Sequence, residues 1–85
     1  MELEQLRIFT VVAETGSFTK AAKKLYISHS TTSRAVSALE EELGVRLFER
    51  DNRIFSLTEQ GEYLLKEAGE LLQRAAEIKS DIKKI

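Results

Sequence analysis

Seven consecutive residues, Ser28-His29-Ser30-Thr31-Thr32-Ser33-Arg34, place short hydroxyls, an imidazole and a guanidinium at the opening of a helical pattern. Hydroxyl groups donate to phosphate oxygens or bond base edges, and an arginine can fork onto guanine. Short side chains let a helix sit deep in a groove. Ser and Thr are mediocre helix formers, and Ala, Glu or Lys would be expected here if stability alone decided. The composition is that of a helix that enters the major groove of DNA, with Ser28, His29, Ser30, Thr31, Ser33 and Arg34 as its candidate contacts.

Cations recur at Lys20, Lys23 and Lys24, with no acid between them, and again at Arg46, Arg50 and Arg53. The formal net charge is −1, which read naively argues against nucleic acid as a partner. Distribution matters more than the sum, because Glu40, Glu41, Glu42 and the C-terminal segment hold much of the acid. A fold that gathers Lys20, Arg34, Arg50 and Arg53 on one side has a basic face despite a near-neutral total, and phosphate affinity depends on that face. Weak nonspecific binding and strong salt sensitivity are expected.

The elements that must carry these groups are legible from apolar spacing. In helix 1, from about Leu3 to Glu14, Leu6, Phe9 and Ala13 form an inner stripe that Ile8 and Val12 widen, and Gly16 stops it. Helix 2, from about Thr19 to Leu25, sets Ala21, Ala22 and Leu25 on one face and permits a close crossing. Helix 3 runs from about Ser28, a good N-cap, to Leu43. It buries Val36, Leu39 and Leu43, leaves His29, Ser30, Ser33, Arg34 and Ser37 outward, and ends at Gly44. The periodicity then changes. Residues 47–50 and 53–57 read as two short strands around Asp51-Asn52, a pair that tolerates left-handed backbone.

From Thr58 onward one long helix is expected, with Leu64, Ala68, Leu71, Ala75, Ile78, Ile82 and Ile85 spaced alternately by 4 and 3. A strict seven-residue repeat keeps one narrow seam facing a partner helix. Roughly 28 residues of helix span about 42 Å, more than a three-helix body covers, so the far end calls for a second chain. The fold class is therefore mainly α: a winged helix-turn-helix, with a three-helix body and a two-stranded β wing, at 1–57, and a dimerisation helix at 58–85.

Other chemistries find little support. Glu40, Glu41 and Glu42 are consecutive and radiate around their helix, and the single His has no acid or nucleophile at motif spacing, so no catalytic residues are assigned. There is no cysteine, which removes disulfides and thiolate metal ligation, and no metal or other cofactor is expected. The charged start, Met-Glu-Leu-Glu-Gln-Leu-Arg, lacks a signal-peptide core, so a cytoplasmic location without membrane association is expected. At 85 residues the chain buries only about 60% of its unfolded surface and leans on a partner. The rival class is a winged-helix module that holds another protein. Protein-binding hot spots favour Trp, Tyr and other large anchors, and the Ser-His-Ser-Thr-Thr-Ser-Arg run has none.

Several separate blocks carry a family resemblance. They are Leu6-Arg7-x-Phe9; Ala13-Glu14-x-Gly16-Ser17-Phe18-Thr19-x-Ala21-Ala22-x-x-Leu25-x-x-Ser28; Leu39-Glu40-x-x-Leu43-Gly44-Val45-x-Leu47-Phe48-x-Arg50-x-x-Arg53; and Leu57-Thr58-x-x-Gly61. In this order and spacing the chain resembles the N-terminal DNA-binding domain of LysR-type transcriptional regulators. The resemblance implies a homodimer on a pseudo-palindromic double-stranded site, with the C-terminal helix as the linker that pairs two domains. It favours Lys20 as a phosphate contact and directs Arg53 toward the adjacent minor groove. Two positions depart from the family: His29 stands where Gln is usual, and Thr32 where an aliphatic residue is usual. The effector domain that normally follows is absent, so a small-molecule effector is implied only if such a domain exists. The pattern ends in mid-helix at Ile85, which favours a fragment of a longer regulator.

Overall fold

The computed structural model describes residues 1–49 and 55–85. Four helices follow in order: α1 Leu3–Thr15, α2 Phe18–Leu25, α3 His29–Leu43 and α4 Glu59–Ile82. The backbone N–H of Glu2 donates to Gln5 Oε1 at 3.0 Å and starts α1, and Gly16 ends it at φ 70°. The Ser17 hydroxyl caps α2 by accepting the Lys20 N–H at 3.1 Å. Ser28 caps α3 by accepting the Thr31 N–H at 3.0 Å, and Gly44 closes it at φ 71°. Hydroxyl caps at the start and left-handed glycines at the end satisfy backbone groups that a helix leaves unpaired.

The helices pack because their buried faces share one core. Leu6, Ile8, Phe9 and Val12 of α1 meet Ala21 of α2, Val36 and Leu39 of α3, Leu47 and Phe48 of the connecting segment, and Leu64 and Ala68 of α4. Ala21 is fully buried, as close crossing of α2 requires. Leu43 departs from the expected inner repeat. It is 40% exposed at the end of α3, at the lip of a groove also lined by Val45, Tyr63 and Leu71.

Between α3 and α4, Phe48 and Leu57 form an isolated antiparallel bridge, flanked by Glu49 N–H to Ser56 O at 3.0 Å and Thr58 N–H to Leu47 O at 3.0 Å. Among the described residues no longer strand forms. The expected Asp51-Asn52 turn lies outside the described residues, as do Arg50 and Arg53.

Thr58 joins this segment to α4. Its hydroxyl accepts the Gly61 N–H at 3.0 Å and donates to Arg46 O at 2.6 Å. Gly61 is buried there, and a Cβ on it would run into the backbone carbonyl of Leu47, so only glycine lets α4 start this close to the segment.

The long helix corrects the expected seam in three places. Ala68 is fully buried inside the protomer, and Leu64, 9% exposed, has given most of its surface to the same core. A seven-residue spacing cannot tell a residue that faces its own body from one that faces a partner, and here the first heptad serves the body. Ile85 lies past the end of α4 at Ile82, so it is not on the helix. Leu71, Ile78 and Ile82 remain exposed on the helix, with Ala75 half-buried.

Candidate nucleic-acid interface

The helix-turn-helix is set by the turn between α2 and α3. Tyr26 ends α2 in the left-handed conformation, φ 58°, and its N–H bonds back to Lys23 O at 3.2 Å. Ile27 N–H then donates to Ala22 O at 3.1 Å, and Ser28 opens α3. These backbone bonds fix the turn that carries the chain from α2 into α3.

On α3 the candidate contacts separate by exposure. His29, Ser30, Thr31 and Arg34 are exposed, as is Ser28 just before them, and Ser33 is half-buried. Thr32 does not belong with the outward hydroxyls. It is completely buried, and its Oγ1 donates to the Ser28 carbonyl at 2.9 Å. A hydroxyl on the inner face of a helix meets its hydrogen-bonding need at the carbonyl four residues back. The Ser28 hydroxyl is also engaged, accepting the Thr31 N–H and donating to Thr31 Oγ1 at 2.8 Å. The Thr31 hydroxyl keeps its own hydrogen to donate.

The charge arrangement runs against helix stability. The N-terminal end of a helix favours acids and the C-terminal end favours bases. The first turn of α3 has no acid and its last turn no base, while Glu40, Glu41 and Glu42 crowd the end where carboxylates are least favoured. Glu40 Oε2 accepts the Leu47 N–H at 2.7 Å and ties that end to the bridged segment. By contrast α2 has Lys23 and Lys24 in its last turn, and α4 has Glu59 and Glu62 in its first, both as the dipole prefers. That placement accounts for Lys23 and Lys24 without a ligand. Lys20 lies in the first turn of α2, an end that disfavours a cation, and is exposed. It follows Phe18, whose ring centroid lies 6.3 Å from that of His29, so the opening turns of α2 and α3 stand side by side.

Among the described residues the shifted ionisations belong to an exposed pair on α1. The Arg7 guanidinium hydrogen-bonded to Glu4 holds that carboxyl below its usual range, and Glu4 raises Arg7 in turn.

The family model described as bacterial regulatory helix-turn-helix protein, lysR family, matches residues 3–62. The chain belongs to the LysR family. Relatives include the HTH-type transcriptional regulator CrgA of Neisseria meningitidis, 42% identical over 79 residues, which are 93% of this chain and 26% of that protein. The regulator BenM of Acinetobacter baylyi is 44% identical over 85 residues, all of this chain and 28% of that protein. The chain thus spans about a quarter of the length of these LysR-type relatives.

Two solved structures are similar along nearly the whole chain. The BenM DNA-binding domain bound to catB site 1 DNA has 43% identity and a TM-score of 0.94, with 99% of this chain and 94% of that one covered. The CbnR DNA-binding domain in complex with DNA has 38% identity and a TM-score of 0.91, with 99% and 97% covered. The fold is accordingly that of the LysR winged helix-turn-helix domain, mainly helical.

One contact of this face escapes sequence reading. Phe18 packs half-buried against the core, and its ring also pairs with that of His29. No local pattern reports a contact between residues eleven apart on different helices. Tyr26 is 95% exposed in a backbone region that non-glycine residues adopt at a cost.

Proposed function

We propose that the chain is the DNA-binding part of a homodimeric transcriptional regulator, with residues 1–57 binding double-stranded DNA and residues 58–85 pairing two protomers. The observation that carries this reading is the opening of α3. It exposes hydroxyls, His29 and Arg34, and it keeps acids away from the helix end whose dipole attracts phosphate, at a cost in helix stability. The similarity to two DNA-binding domains solved with DNA supports DNA as the partner.

In this reading α3 lies in the major groove. Arg34 forks onto a base edge; His29, Ser30, Thr31 and Ser33 contact bases or phosphate; and Ser28 acts chiefly as the cap. Lys20 binds backbone phosphate from the neighbouring helix. A two-stranded wing completes the domain, with Arg50 and Arg53 as its contacts at the flanking minor groove. Pairing uses Leu71, Ala75, Ile78 and Ile82, three of them large apolar residues that water now covers on α4. Two recognition helices related by a two-fold axis then read a pseudo-palindrome. The protein acts non-enzymatically and in the cytoplasm, where its DNA is. No helix among the described residues is long and apolar enough to cross a membrane.

The test is selection of bound duplexes from a random pool at two salt concentrations. A two-fold related consensus, with affinity falling steeply as salt rises, is the expected result. No preference for any duplex over heparin would end the proposal.

A further inference from the structure

Four aromatic rings run from the core to the candidate interface. Phe9, fully buried, lies 5.5 Å from Phe48, ring centre to ring centre. Phe48 meets Phe18 edge-on at 5.7 Å, and Phe18 meets His29 at 6.3 Å with the planes tilted by 49°. Phe55, two residues before Leu57, closes on Phe48 at 5.0 Å and on Phe18 at 6.2 Å. All these separations fall within the range of favourable aromatic pairs. His29 is exposed in the first turn of α3, yet its ring pairs with that of Phe18, and Phe18 pairs in turn with two further rings.

We infer that Phe18 is a positioning residue that fixes the His29 imidazole so that it reads one base position of each half-site as purine against pyrimidine. The inference rests on the DNA-binding reading above and adds to it which base class is chosen and by what support. A neutral imidazole has one N–H donor and one bare acceptor nitrogen on opposite sides of a small ring. It cannot take the N7 acceptor and N6 donor of adenine together, as a side-chain amide does. A single N–H can reach N7, which adenine and guanine share. Pyrimidines carry carbon at the corresponding place. Such a contact selects purines only if the ring is held at one angle, since a freely turning imidazole also finds the O4 of thymine or the N4 of cytosine. The Phe18 ring limits that turning.

The experiment measures competition binding of the 85-residue chain to its selected site and to duplexes changed symmetrically at each half-site position. Wild type, His29→Ala, His29→Gln, Phe18→Leu and the Phe18→Leu/His29→Ala double variant are compared. For wild type one position should prefer either purine over either pyrimidine by roughly fivefold, the scale of one net hydrogen bond. His29→Ala should flatten that position, and His29→Gln should narrow it to adenine. Phe18→Leu keeps an apolar side chain but removes the ring. It should lose at least half of the purine preference at that same position, leave the other positions within twofold, and have no further effect on it in the His29→Ala background. If Phe18→Leu weakens all sequences alike, Phe18 only holds the fold and the inference fails. It fails equally if His29→Ala flattens no position. Phe18→Met replaces Phe18→Leu if the latter lowers helical content. A wild-type chain that selects no site at all would instead overturn the DNA-binding reading.

Discussion

Two glycines on α4 should respond to one substitution with opposite signs. Gly69→Ala introduces a Cβ into open space on an exposed stretch of helix. Alanine is the better helix former by about 1 kcal/mol, so the variant should gain that amount. Gly61→Ala gains the same propensity, but its Cβ would collide with the carbonyl of Leu47 and crowd Leu57 Cδ2 at 3.0 Å. The obstacle is backbone, and the Leu47 carbonyl also accepts the Thr58 N–H at 3.0 Å. Relief must move α4 away from the segment, and the Thr58 bond is lost with that movement. Overpacking costs about 1–3 kcal/mol and a lost hydrogen bond about 1 kcal/mol, against a propensity gain of about 1 kcal/mol. The net is a loss of about 2 kcal/mol. For a domain of this size 1 kcal/mol moves Tm by about 4–8 °C. Thermal unfolding followed by circular dichroism, at one protomer concentration because association shifts Tm, should therefore place Gly69→Ala about 4–8 °C above wild type and Gly61→Ala about 8–16 °C below. If Gly61→Ala is as stable as Gly69→Ala, the close seat of α4 on Leu47 is not a constraint and the reasoning is wrong.

Arg34→Ala should weaken binding to the selected site by about 1–3 kcal/mol and relax one base position, whereas Lys20→Ala should lower affinity on all sequences alike and reduce the salt slope by about one. Titrations on matched and mismatched duplexes separate the two, and an unchanged best-site affinity for Arg34→Ala removes Arg34 from readout. Thr32→Val trades a buried hydroxyl and its bond to the Ser28 carbonyl for a methyl of similar volume, so stability should change by less than about 1 kcal/mol and DNA affinity not at all. A tenfold loss of affinity in a fully folded Thr32→Val would mean that this hydroxyl reaches the DNA. Leu71→Glu should abolish the dimer and, with it, tight binding to a full site; sedimentation that finds both wild type and variant dimeric would exclude that face of α4.

The three-helix body and the N-terminus of the long helix are legible in the sequence because they rest on local rules. Ser17, Ser28 and Thr58 start helices where a hydroxyl can accept a backbone N–H two or three residues ahead, and Gly16 and Gly44 end them where a left-handed residue is needed. The apolar spacing of Leu6, Phe9, Val36 and Leu39 likewise marks an inner face without reference to the rest of the fold. What faces what is a different question. The run from Ser28 to Arg34 is uniform in composition, but helical rotation turns Thr32 wholly inward and leaves His29, Ser30, Thr31 and Arg34 outside. The repeat through α4 has one period, yet Ala68 packs on its own protomer while Leu71, Ile78 and Ile82 stay in water. Periodicity sets the angle of a side chain around its helix axis. Only the packing of α1 and the 45–48 segment against the first half of α4 decides where the protomer's own core stops, and only the side-by-side approach of α2 and α3 puts the ring of Phe18 against that of His29.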